Sequence, residues 1–113
     1  RREEKIMAST NREFRNLLLE AVDEALSILG ETSKSAIFFF IKEKFGLRKE
    51  AIPHNLEEFS NALRTIFGDT GCFFLEEQIL NRLYARLGLI YQKRPNQNFS
   101  ECIRTVYELL HRE

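Results

Sequence analysis

An all-α bundle of five helices is the fold this sequence predicts, and three observations carry that expectation. Apolar residues recur at helical spacing in five separate runs. Four of the five glycines, Gly30, Gly46, Gly68 and Gly88, each follow a large apolar residue that closes such a run, namely Leu29, Phe45, Phe67 and Leu87. Glycine just past a helix end adopts the left-handed conformation without steric cost, and Leu47 and Leu89 supply the apolar contact of a Schellman-type cap. Finally, capping-type pairs stand ahead of three runs, at Thr10 with Glu13, Asn55 with Glu58 and Asn98 with Glu101.

Residues 1–8 read as a flexible N-terminal extension, in which the highly charged Arg1 to Ile6 precede a Met7-Ala8-Ser9 that has the form of a translation start. Residues 9–88 read as a four-helix domain. The first helix opens at the Thr10 box and carries Phe14, Leu17, Leu18, Ala21, Val22, Ala25, Ile28 and Leu29. With Leu19 and Leu26 added, its apolar arc spans roughly 200°, wider than the stripe of a surface helix, so it must touch more than one neighbour. Ser33 is the expected cap of the second helix, whose inward set is Ala36, Ile37, Phe40, Ile41 and Phe45. Phe38 widens that face, and Phe39 falls among Ser35, Lys42 and Glu43. Pro53 breaks the next segment, and Asn55 opens a one-sided third helix with Leu56, Phe59, Leu63, Ile66 and Phe67. The fourth, beyond Gly68-Asp69-Thr70-Gly71, carries Cys72, Leu75, Ile79, Leu80, Leu83 and Leu87. Residues 89–98 contain Pro95 and read as a linker. Residues 99–113 form a last helix with Phe99, Cys102, Ile103, Val106, Tyr107 and Leu110 on one face, to be docked on the bundle or on a second subunit.

Composition narrows the function classes. The 113 residues suffice for one core, and 17 basic against 17 acidic residues give no bulk attraction to nucleic acid or an anionic membrane. The longest apolar run, from Ala36 to Ile41, falls far short of the ~20 residues of a membrane span, and no signal-peptide pattern opens the chain. A cytoplasmic protein is therefore expected. Cys72 and Cys102 lack a Cys-x-x-Cys partner, which favours buried thiols over a zinc site, with a single bridge between them left open.

Several residues invite a chemical reading. Asp69-Thr70-Gly71 has the letters of an aspartic-protease loop, but that loop sits in β-structure, whereas here it joins two helical runs and reads as a turn. His54 and His111 have no partner at metal-ligand spacing, and the glycines stand singly rather than as a phosphate cradle. No catalytic residue, metal or cofactor is expected. Glu76 falls inside the apolar arc of its helix between Leu80, Leu83 and Leu87. A carboxylate there requires compensation, so Glu76 is a candidate buried polar anchor held by a basic or hydroxyl partner. Phe38, Phe39, Phe73 and Phe74 are either core or one apolar patch for self-association or partner binding. Arg82, Arg86, Lys93 and Arg94, interleaved with Tyr84 and Tyr91 in an acid-free stretch, are either solvated cations or a strip that tracks phosphates and stacks bases.

The ordered run Glu24-Ala25-Leu26, Leu29-Gly30-Glu31, Lys44-Phe45-Gly46-Leu47, Ile52-Pro53, Glu57-Glu58-Phe59, Ala62-Leu63 and Ile66-Phe67-Gly68, continued by Glu76, Ile79 and Leu83-Tyr84, resembles the Nitrosopumilus output domain, a small archaeal helical family. The resemblance covers about residues 17 to 87, and Gly88 to Glu113 depart from it. It implies a helical module, found alone or attached to sensory modules, that passes signals by protein contact and brings no established activity. The reading of the whole chain is a non-enzymatic protein-interaction or signalling-output module, homodimeric through its phenylalanine-rich helices. The alternative is a small nucleic-acid-binding regulator.

Overall fold

The computed structural model describes residues 2–92 and 97–110, with side chains described from Arg12 onward. It contains α1 (Arg2–Ser27), α2 (Glu31–Phe45), a 3-10 turn (Lys49–His54), α3 (Leu56–Arg86) and α4 (Phe99–Leu110), and no strand among the described residues. Helical backbone in α3 is broken at Gly68, where φ is 78° and ψ 178°. Only glycine visits that region readily, because a Cβ would strain against its own backbone. Ser60 and Glu76, equidistant from Gly68 along the chain, are hydrogen-bonded to each other, so the chain doubles back there and α3 is two antiparallel arms. Counted that way, the described residues hold the five α-helical segments predicted.

α1 is the element the others surround. Ala21, Val22, Ala25 and Leu26 are completely buried, and the helix packs chiefly on α3 and also on α2 and the 3-10 turn. The wide arc thus finds several neighbours within one chain. α4 docks on α3, with the Phe59 and Phe99 rings 6.4 Å apart, and reaches α1 through an edge-on contact of Phe14 with Tyr107 at 5.2 Å. The segment expected as a linker is partly packed: Leu89 and Tyr91 lie against the core, and the Tyr91 ring meets Tyr84 edge-on at 5.1 Å. A charged clamp completes the frame. Asp23 of α1 accepts from Lys34 of α2 and from Lys49 of the 3-10 turn, each at 3.0 Å. Partial burial pushes the Asp23 carboxyl up, but the two lysines outweigh it and hold it below its ordinary range.

Local signals were met unevenly. Asn98 and Glu101 form the reciprocal box: the Glu101 N–H donates to the Asn98 side chain at 2.8 Å and the Asn98 N–H to the Glu101 carboxylate at 2.9 Å. At Gly88 the Leu89 N–H reaches the Tyr84 carbonyl (2.9 Å) and the Gly88 N–H the Ala85 carbonyl (3.1 Å), the paired bonds of a Schellman motif. Three caps differ from expectation. α1 begins at Arg2 and runs through Thr10, because Arg2, Glu3, Glu4 and Lys5 are good helix formers with no glycine or proline among them. α2 begins at Glu31 with Gly30 as N-cap, one turn of chain before the lysine that follows Ser33, and the Lys34 N–H already bonds the Gly30 carbonyl at 2.9 Å. Asn55 occupies the N-cap of α3, yet its amide turns back to donate to the Ala51 carbonyl at 2.9 Å, closing the 3-10 turn instead.

The inward face of α2 also differs. Ile37 and Ile41 are buried with Phe38 and Phe45 partly so, while Ala36 is exposed and Phe40 turns aside onto Phe45. Six consecutive apolar residues have no preferred face of their own, so the neighbours choose one. Ile28 and Leu29, expected inside, lie beyond the last turn of α1 and are exposed.

Space around Gly68 is open, with nothing within 4 Å of an added Cβ, so substitution there tests backbone strain alone. Gly68→Ala is expected to lower the unfolding free energy by about 1–3 kcal/mol, read from the shift of the urea midpoint at constant slope.

Candidate functional site

The reversal at Gly68 brings three polar side chains together inside the apolar layer between the arms of α3. Glu76 is 4 % exposed and is the one buried charged residue among the described residues. The Ser60 hydroxyl donates to its Oε2. The Cys72 Sγ lies 3.3 Å from that same oxygen and 3.5 Å from the Ser60 carbonyl, one thiol proton with two acceptors. The polar anchor predicted at Glu76 is thus satisfied by a hydroxyl from the neighbouring arm and by a thiol one turn away on its own arm. Neither partner was named from the sequence. Both had a signal: Cys72 and Glu76 are four residues apart on one helix, and a hairpin folded at Gly68 sets Ser60 opposite Glu76.

A cleft of about 340 Å³ opens over this cluster, with Arg64, Asp69, Phe73, Asn98 and Phe99 in its lining. Its chemistry is quiet. Burial first, and the Glu76 carboxylate second, push the Cys72 thiol from 9.0 up to about 11. At pH 7 about one thiol in ten thousand is then ionised, and the thiolate is the nucleophile, so Cys72 acts as a hydrogen-bond donor. Asp69 is exposed and paired with Arg64 across the turn at 3.2 Å, the placement of a turn residue. Cys72 and Cys102 are both buried, and no disulfide joins them. His54 is exposed, and His111 lies outside the described residues.

The basic strip is changed by its surroundings. Arg86 bonds Glu20 at 2.6 Å and also Glu24, and Arg82 donates to Gln78 at 2.8 Å and stands 3.9 Å from Glu24. The stretch has no acid of its own, yet α1 lays two carboxylates along it. Lys93 and Arg94 lie outside the described residues.

The four phenylalanines reach the surface in two places. Phe73 and Phe74 on the second arm of α3 are 45 % and 50 % exposed, and Phe73 lines the cleft over Glu76. Phe39 on α2 is 64 % exposed and shares a different groove with Phe38, which is half-buried under the Lys49 ammonium 5.0 Å from its ring centre. A further cleft of about 530 Å³ between α1, the start of α3 and α4 carries Arg15 and Arg104 together with Glu57 and Glu58, a balance that selects no charge. No helix among the described residues is long and apolar enough to cross a membrane.

Compared with known protein families, curated proteins and solved structures, the chain matches none of them.

Two measurements test the cluster. Ser60→Ala removes a donor from a buried carboxylate and is expected to cost about 1–3 kcal/mol in urea unfolding, more than the same change at exposed Ser35. The Cys72 thiol keeps its proton in the folded chain at pH values where the unfolded chain has lost it. Its contribution to stability is therefore complete below pH 9 and falls as pH rises from 9 toward 11. Unfolding curves across that range should show a slope that Cys72→Ala reduces, and the part of the folded protein's thiolate absorbance that Cys72→Ala removes should rise only near pH 11.

Proposed function

We propose that this chain is a non-enzymatic protein-interaction module of the signalling-output kind, cytoplasmic, and self-associating through the Phe73 and Phe74 face of α3. The carrying observation is that these two rings stay half in water although the core is filled without them. Their neighbourhood suits a second copy of the same chain. Arg64 and Asp69 neutralise each other beside Phe73, and Glu76 is already held from within. A two-fold interface sets each patch against itself, which suits a surface whose exposed ion pair, Arg64 with Asp69, is internally balanced. Further support is the protonated state of Cys72, which leaves the polar cluster a structural role. The resemblance to the Nitrosopumilus output domain points the same way, since that family is understood to act by contact. The nucleic-acid alternative loses support at Arg82 and Arg86, whose charges the α1 carboxylates already meet.

Light scattering after gel filtration, from micromolar to near-millimolar protein, is expected to return twice the 13.3 kDa chain mass. The double variant Phe73→Asp with Phe74→Asp should fall to the single-chain mass with its helical circular dichroism intact, a weakening of about a hundredfold or more. A single-chain mass for the unaltered protein at every concentration would end the self-association reading.

A further inference from the structure

The groove beside α2 differs from the α3 face in charge, and that difference selects its occupant. It has a volume of about 430 Å³ and is lined by Phe38, Phe39, Lys42, Arg48, Lys49 and Glu50. Lys49 is committed to Asp23 and to the Phe38 ring. Lys42 and Arg48 are exposed, and neither has an ion pair among the described residues. We infer that this groove binds an acidic segment of another protein, one that carries an apolar side chain for Phe39 flanked by carboxylates for Lys42 and Arg48. The inference rests on the protein-interaction reading and names the partner chemistry of a second face.

A second copy of this chain is the poorer occupant. Each groove offers two uncommitted cations and one carboxylate, Glu50. Even the best self-paired arrangement leaves one cation per copy without a counter-charge, and burying an unpaired charge is costly. An acidic partner meets both cations. An anionic lipid surface would meet them too, but it would press Glu50 against like charge and make poor use of a concave site. A peptide can pass Glu50 with a backbone N–H as donor. The aromatic floor supplies the apolar contact, and the rim charges set register and encounter rate.

The test is selection of a random peptide library of about twelve residues against the full chain in low salt, followed by fluorescence anisotropy with the enriched peptides. Enrichment of peptides that are net negative and contain a large apolar residue is expected. Lys42→Glu combined with Arg48→Glu should weaken them by about tenfold or more, as should Phe39→Ser, with helical content unchanged in both. Enrichment of neutral or basic peptides, or of acidic ones that bind the charge-reversed variant equally well, would overturn the assignment. So would the absence of enrichment together with capture by phosphatidylserine vesicles that the same reversal abolishes, which would assign the groove to lipid. Mass determination of the same samples separates this proposal from self-association. A single-chain species that still selects acidic peptides removes only the dimer, and a dimer that selects none removes only the groove assignment.

Discussion

The backbone conformation of Gly68 is the constraint on which the remaining architecture depends. A helix continued straight through that position would carry Leu75, Ile79 and Leu83 away from the core. The reversal instead makes them the inner face of a second arm that covers α1. It also sets Ser60 against Glu76, aligns Arg86 with Glu20 and Glu24, and leaves Phe59 beside the site where Phe99 of α4 docks. The adjoining turn is close-packed as well: a Cβ on Gly71 would stand 2.7 Å from that of Phe67.

Polar contacts in this protein position elements more than they hold them. The bridges from Arg86 to α1 and from Lys34 and Lys49 to Asp23 are partly solvated, and such pairs contribute at most about 1 kcal/mol each. The cohesion comes from the apolar layer around α1. The Ser60, Cys72 and Glu76 cluster is of another kind, because its alternatives are worse: a buried carboxylate deprived of donors costs more than the bonds themselves return.

Helix existence was legible because it depends on period and punctuation, which a sequence displays directly. All four glycines that close apolar runs have positive φ, the Asn98 box formed, and the inward face of α4 emerged at Phe99, Cys102, Ile103 and Val106, with Tyr107 partly buried and Leu110 exposed at its end. What failed depended on neighbours. Asn55 had a carbonyl at hand in the 3-10 turn that ordinary spacing does not reveal. The six apolar residues before Lys42 offered every direction equally, and only the core decided that Ile37 and Ile41 go in. The arginines looked free because their counter-charges, Glu20 and Glu24, stand on α1, far from Arg82 and Arg86 along the chain. The candidate site was half legible: Glu76 announced itself by standing in an apolar arc, whereas the separation of Phe39 from Phe73 and Phe74 into two grooves required the packing of α2.

The central position of α1 has a consequence for the order of assembly. Its buried stripe, Ala21 to Leu26, leaves the ribosome ahead of everything that covers it, and the arm that completes the cover ends roughly sixty residues later, a delay of about 3–12 s at ordinary elongation rates. During that interval α2 is the first element after α1 to shield it, joined by the short connection at Gly30 and pinned by the Lys34 to Asp23 bond, with the 3-10 turn and the first arm of α3 following. The α1–α2 pair is thus the most local part of the cover, and the closure of the second arm of α3 onto α1 is the contact that carries the largest loop-closure cost.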